Sequence, residues 1–180
     1  MIPQIDLKRQ HDALRAELLE AAGRVLDSCR FILGPEGQAL EGELAAFCGA
    51  RHGVGVNSGT DALLLALKAV GVQPGDEVVT SAFSFVASAS TIVMAGAVPV
   101  FVDIDPQTYN LDPARLEPAI TPRTRAVVPV HLYGQPAAMD AVAAIARNHG
   151  LAVVADAAQA VGARYADRGI GAWGDAVCLS

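Results

Sequence analysis

The sequence predicts an α/β fold: a mostly parallel sheet with helices on both faces, behind an N-terminal helical arm. Three observations predict it. Past residue 50, short β-branched runs alternate with alanine-rich stretches at helical spacing. The runs are almost continuously apolar, as strands covered on both faces must be. The 180 residues are 52% hydrophobic and 18% charged, which supplies one core and excludes a disordered chain.

Residues 8–28 carry Leu14, Leu18, Ala21, Ala22, Val25 and Leu26 at helical spacing, with charges opposite. This predicts a long amphipathic helix. The loop Phe31-Ile32-Leu33-Gly34-Pro35-Glu36-Gly37 follows. A second helix through Leu40, Leu44 and Phe47 should stop near Gly49. Together they form an arm over residues 1–50, and residues 51–180 form one α/β domain. Strands are expected at 54–56, 77–80, 98–102, 126–130, 152–155 and 176–179. Helices are expected near 60–70, 85–95, 112–120 and 137–149. The chain stops at Ser180, just past an apolar strand, so the domain is expected to be truncated, its C-terminal part absent.

Thirteen basic against nineteen acidic residues give a net charge of −6, with no Lys/Arg cluster. A general nucleic-acid binder needs the opposite balance. No apolar run is long enough to span a bilayer, and the N-terminus has no signal-type apolar core. Cys29, Cys48 and Cys178 fit no zinc spacing, and an odd number argues against a disulfide framework. No metal site and a reducing cytoplasm are the expectations.

Ligands of open α/β sheets bind beyond the carboxyl ends of the strands, so the residues just after each run are the candidates. After 54–56 comes Asn57-Ser58-Gly59-Thr60-Asp61, a small turn opening a helix. Its free N–H groups suit a phosphate, and the Thr60 hydroxyl could add a hydrogen bond. An ordinary N-cap by Ser58 or Thr60 is the plainer alternative. After 77–80 come Phe83 and Phe85. Phe83 is expected in the core, whereas Phe85 could lie against a flat ring. After 152–155 comes Asp156, whose buried charge needs a partner. It either caps the next helix or binds a protonated ring nitrogen, with Gln159 on the same side of that helical turn. His131 and Tyr133 follow 126–130 as possible pocket residues; a histidine in a loop is more often structural. A phosphate cradle, an aromatic plate and a carboxylate suit a phosphorylated aromatic ligand with a basic ring nitrogen. Pyridoxal 5'-phosphate meets that description.

The sequence resembles the DegT/DnrJ/EryC1/StrS family of sugar aminotransferases. The resemblance rests on IDLKRQ, FILGPEGQALEGELAAFCG, VGVNSGTDALLLAL, GDEVVTSAFSFVASA, PVFVDIDPQTYNLDP, ITPRTRAVVPVHLYGQPAAMD, ADAAQAVGA and GDAVCLS, in order along nearly the whole chain. It implies the large domain of the aspartate-aminotransferase-like fold (PLP fold type I) and pyridoxal 5'-phosphate, with pyridoxamine 5'-phosphate as intermediate. Carried over position by position, Gly59, Thr60 and Ser180 match residues on the cofactor phosphate. Phe85 matches the aromatic on the pyridine ring, Asp156 the carboxylate on the ring nitrogen, and Gln159 the residue near the ring hydroxyl. His131 and Tyr133 sit in a family-like HLYG segment without a firm role. The family's Schiff-base lysine is expected about five positions beyond Ser180. Neither Lys8 nor Lys68 can replace it, so this stretch holds no catalytic residue and should be inactive alone.

The resemblance further implies a nucleotide-linked keto-sugar substrate, an amino-acid donor, glutamate first, and a homodimer. The Phe31–Gly37 loop is a candidate interface segment. Two alternatives stay open: a pyridoxamine-phosphate-dependent sugar dehydratase with histidine in place of the lysine, and a non-catalytic truncated relative.

Overall fold

The computed structural model describes residues 5–180; the first four residues of the expected arm lie outside the described residues. The chain divides into two compact units, Met1–Glu43 and Leu44–Ser180. In the first, α1 (Lys8–Ser28) ends on Cys29, which adopts a left-handed conformation at φ 53°. Lys8 pairs with Asp12 one turn on, at 2.6 Å, and Arg24 reaches Glu20 and Glu36. The helix buries none of its residues: Leu14, Leu18, Leu19 and Leu26 stay exposed, as do Phe31, Ile32 and Leu33 of the loop. α2 (Pro35–Cys48) opens on a proline, where a missing N–H costs nothing, and stops before Gly49 at φ +74°.

The second unit carries α3 (Gly59–Ala69), β1 (Glu77–Ser81), α4 (Ala87–Met94), β2 (Val98–Val102), α5 (Pro113–Leu116), β3 (Thr124–Val128), α6 (Met139–His149), β4 (Ala152–Asp156), β5 (Arg164–Tyr165), β6 (Arg168–Gly169) and β7 (Ala176–Cys178). Five strands form a parallel sheet in the order β2-β1-β3-β4-β7. Successive side chains alternate between its faces. Val78, Ala126, Val128 and Val154 pack with Leu63, Leu67 and Ile92 of α3 and α4. Val79, Val127 and Val153 pack with Leu111, Leu116, Met139 and Val142 on the other side. Two-sided burial is why the strands are apolar without a break. From β1 the chain goes to one neighbour, β2, then crosses back to the other, β3. The sheet therefore reverses direction of growth between β1 and β3, which leaves a crevice beyond their carboxyl ends.

Residues 54–56 are not a strand. They join neither sheet, and Val54 and Val56 are exposed. A β-branched pattern marks a segment able to pair, but a strand also needs a neighbour to pair with. Phe83 is not in the core either: it is 45% exposed and meets the Tyr109 ring at 6.0 Å. The expected 112–120 helix breaks after Leu116 into a 3-10 turn, Glu117–Ala119, where Pro118 lacks the N–H an α-helix needs. The β5–β6 hairpin has no expected counterpart. Its turn holds Ala166 and Asp167 at φ 46° and 60°, positions that Gly or Asn usually announce.

Candidate functional site

A pocket of about 170 Å³ opens beyond the carboxyl ends of the strands. Its wall includes Gly59 and Thr60 of α3, Ser84 and Phe85 after β1, His131 after β3, Asp156 and Gln159 at the end of β4, and Ser180 after β7. All six residues assigned by resemblance thus line one cavity, as does His131. Tyr133 does not line it, and its side chain is largely exposed.

At the α3 end, Ser58 is the cap: its Oγ accepts from the Asp61 N–H at 3.1 Å. Thr60 is therefore not needed for capping and sits half-buried on the pocket wall. Gly59 lies hard against Ser180. A Cβ there would come within 2.8 Å of Ser180 Cβ and 3.3 Å of the Leu179 carbonyl oxygen. Only glycine lets the α3 N-terminus and the exit of β7 approach this closely.

Asp156 closes β4 and is 5% exposed. Its main chain is pinned on both sides: its N–H donates to the Pro129 carbonyl and its carbonyl accepts from the His131 N–H, each at 2.9 Å. Its carboxylate accepts from Ser88 Oγ at 2.8 Å and from the Ala158 N–H at 3.2 Å. No helix follows; residues 158–159 and 161–162 are turns, so helix capping is not its role. Ser84 Oγ lies 2.8 Å from Ser88 Oγ. Because the carboxylate only accepts, Ser88 donates to it and Ser84 can donate to Ser88. These two serines escaped sequence reasoning. Their i,i+4 spacing, from the bend before α4 into its first turn, was the available signal.

The HLYG segment, without a role in the sequence, wraps the same site. The Tyr133 N–H donates to Gln159 Oε1 at 2.8 Å, and the Leu132 N–H to Asn110 Oδ1 at 3.1 Å. His131 is fully buried, and its Nδ1 accepts from the Ala137 N–H at 3.2 Å. Burial pulls its pKa down to about 4 against the opposing pull of the Asp156 charge. Burial pushes the Cys178 thiol up to about 12, which makes it an inert core residue. No cluster of His, Cys, Asp and Glu among the described residues could hold a metal ion. No helix among them is long and apolar enough to cross a membrane.

The donor set fits pyridoxal phosphate. The Asp156 carboxylate forms no ion pair among the described residues, and the buried His131 Nε2 has no hydrogen-bond partner among them. A buried anion without a cation and a buried donor without an acceptor leave room for an aromatic ligand with a cationic nitrogen and an anionic oxygen.

The depressed His131 pKa has a sign. Below about pH 6.5 the unfolded histidine takes up a proton that the folded one refuses until about pH 4, so stability falls with pH across that window. Thermal melts should show the wild-type midpoint falling more steeply there than that of His131→Asn. Parallel curves would mean that His131 is not held neutral.

The sequence and the fold both have known relatives. A UDP-N-acetyl-3-dehydro-alpha-D-glucosamine 3-aminotransferase from Acidithiobacillus ferrooxidans is 50% identical over 99% of this chain and 48% of its own length. The crystal structure of S. venezuelae DesV in complex with a ketimine intermediate is 51% identical, with TM-score 0.96, over 99% of this chain and 48% of that one. NtdA from Bacillus subtilis, with bound cofactor PMP, is 37% identical, with TM-score 0.85, over 89% of this chain and 37% of that one. The chain thus spans about half the length of the curated relatives it matches. Residues 12–180 match the model of one family, so the chain belongs to the DegT/DnrJ/EryC1/StrS aminotransferase family.

Proposed function

We propose that this chain is the cofactor-binding N-terminal part of a pyridoxal-phosphate-dependent aminotransferase acting on a nucleotide-linked keto-sugar. The observation that carries the reading is the buried Asp156 carboxylate, held by Ser88 and Ala158 on the floor of a pocket with no cation of its own. When bound, the cofactor supplies an electron sink whose strength depends on a protonated ring nitrogen. Asp156 holds that proton at the nitrogen. Phe85, 72% exposed, offers a flat face to the ring. Gly59, Thr60 and Ser180 hold the phosphate at the positive end of α3. Gln159 donates to the ring oxygen. The arm comprises residues 1–50 and the cofactor domain residues 51–180.

The same reading makes the complete protein a cytoplasmic homodimer in deoxysugar or polysaccharide biosynthesis, with glutamate as first-choice amino donor. The identity to an enzyme named for a UDP-linked 3-dehydro sugar supports the substrate class. The test is an assay of the complete protein with pyridoxal phosphate, glutamate and UDP- or dTDP-linked 3-keto-sugars, following amino-sugar formation by mass. Cofactor uptake with amino transfer is expected. Absence of both would overturn the proposal.

A smaller prediction concerns Thr60. Thr60→Ala removes one hydroxyl and leaves the main-chain donors, so pyridoxal phosphate should bind about 1–2 kcal/mol more weakly. An unchanged dissociation constant would remove Thr60 from the phosphate site.

A further inference from the structure

We infer that His131 is a cofactor-binding residue: its neutral Nε2–H donates a hydrogen bond into the pocket, to a negatively charged oxygen on the cofactor ring, beside Gln159. The inference rests on the pyridoxal-phosphate reading and assigns a residue that the family resemblance left without a role.

The tautomer follows from one contact. Nδ1 lies 3.2 Å from the main-chain N–H of Ala137, which can only donate, so Nδ1 carries the lone pair and the proton sits on Nε2. That Nε2–H is buried, has no partner among the described residues, and belongs to a side chain on the pocket wall. A buried donor without an acceptor is costly, so an orphaned Nε2–H on a cavity wall points to an acceptor in that cavity. Trp173 Nε1 is also unpartnered but does not line the pocket.

Gln159 obeys the same logic. The Tyr133 N–H facing its side chain is a donor, so the atom 2.8 Å away is the amide oxygen, and the NH₂ end is left to donate. The turn that delivers this N–H is strained for the purpose. Tyr133 sits at φ 56°, and Gly134 at φ +84°, where an added Cβ would lie 3.3 Å from the Gln159 carbonyl oxygen. Two adjacent strand ends, those of β3 and β4, thus supply two neutral donors to one cavity. Neutral donors bind an anionic oxygen without adding a cation that would compete for Asp156. Burial keeps the imidazole neutral at any pH above about 4, despite that carboxylate. In pyridoxal phosphate the matching acceptor is the deprotonated ring hydroxyl.

Two substitutions in the complete protein separate binding from packing. His131→Asn keeps an acceptor at the Nδ1 position for Ala137 and deletes the Nε2 donor. His131→Gln keeps a donor near Nε2 and gives up the Ala137 contact. The readouts are the pyridoxal-phosphate dissociation constant by absorbance titration, the pH midpoint of the bound cofactor's visible band, and the thermal midpoint at neutral pH. We expect His131→Asn to melt near wild type, to bind the cofactor about tenfold more weakly, and to shift the band's pH midpoint upward. The shift arises because the ring oxygen, one donor poorer, holds its neighbouring proton more tightly. His131→Gln should melt lower yet bind within about threefold of wild type. Wild-type affinity and an unmoved band in His131→Asn would overturn the inference, as would nitrogen-15 shifts of the cofactor-free protein placing the proton on Nδ1. If wild type takes up no pyridoxal phosphate, the reading beneath the inference fails and the inference falls with it. If wild type binds and His131→Asn binds equally, the inference alone fails.

Discussion

In the complete protein, Asp156→Asn should lower transamination by at least roughly a hundredfold, on the order of 3 kcal/mol of barrier, while leaving the fold intact. Asparagine keeps the size of the side chain: its one carbonyl oxygen can still accept from the Ala158 N–H, and its NH₂ can donate to Ser88 Oγ once that hydroxyl turns round, so both positions that fix the carboxylate stay bonded. It loses the negative charge. A buried carboxylate at 5% exposure is costly unless something cationic faces it, and Asp156 is in no ion pair among the described residues. If the ring nitrogen is that cation, the amide can no longer hold its proton there, and the electron sink weakens. A purely structural Asp156, bracing the turn at 158–159, predicts otherwise: asparagine makes the same turn, so turnover would barely move. Turnover measured beside cofactor absorbance separates the two. Near-normal rates would return Asp156 to a structural role.

The fold was legible because the forces that make it act locally. Each strand of the parallel sheet alternates side chains between two covered faces, so Val78 and Val79, or Val127 and Val128, must both be apolar. That leaves a continuous run in the sequence. The end of α2 followed from Gly49, which adopts a positive φ just past the helix. What failed was what pairing decides. Residues 54–56 have a strand's composition but no place in either sheet. The β5–β6 hairpin forms around Ala166 and Asp167, and no glycine advertises its turn.

The site divides in the same way. Residues directly after strands were legible, because the parallel sheet delivers all its carboxyl ends to one rim. Phe85 and Asp156, after β1 and β4, are remote in sequence yet line one cavity; Gly59 follows no strand but opens α3 on the same cavity, and Ser180 was assigned by the family resemblance alone. Residues acting through another residue were not legible. Ser88 reaches Asp156 from 68 positions away, and Tyr133 reaches Gln159 by its main chain, to which the tyrosine side chain is irrelevant. Phe83 was misjudged because an aromatic after a strand is as apt to cover a loop as to enter the core. Here it leans on Tyr109.

Gly59→Ala should cost the complete protein about a hundredfold in pyridoxal-phosphate affinity. The added methyl would come 2.8 Å from Ser180 Cβ and 3.1 Å from its Oγ, with the Leu179 carbonyl oxygen at 3.3 Å behind it. Neither the Cβ nor the main chain is a flexible end that can swing aside, so Ser180 and the start of α3 must separate. On the proposed reading both hold the phosphate. Losing the Ser180 hydroxyl and misaiming one α3 N–H removes two charge-assisted contacts of about 1.5 kcal/mol each, which together make the hundredfold. The strain itself should lower stability by about 1–3 kcal/mol. A rescue separates strain from chemistry. Ser180→Gly on the Gly59→Ala background removes the clashing Cβ, so the thermal midpoint should recover. Affinity should recover only in part, because the Ser180 hydroxyl is gone. Full recovery of affinity would exclude Ser180 as a phosphate ligand. No loss of affinity in Gly59→Ala alone would mean that the α3 N-terminus does not bind the phosphate at all.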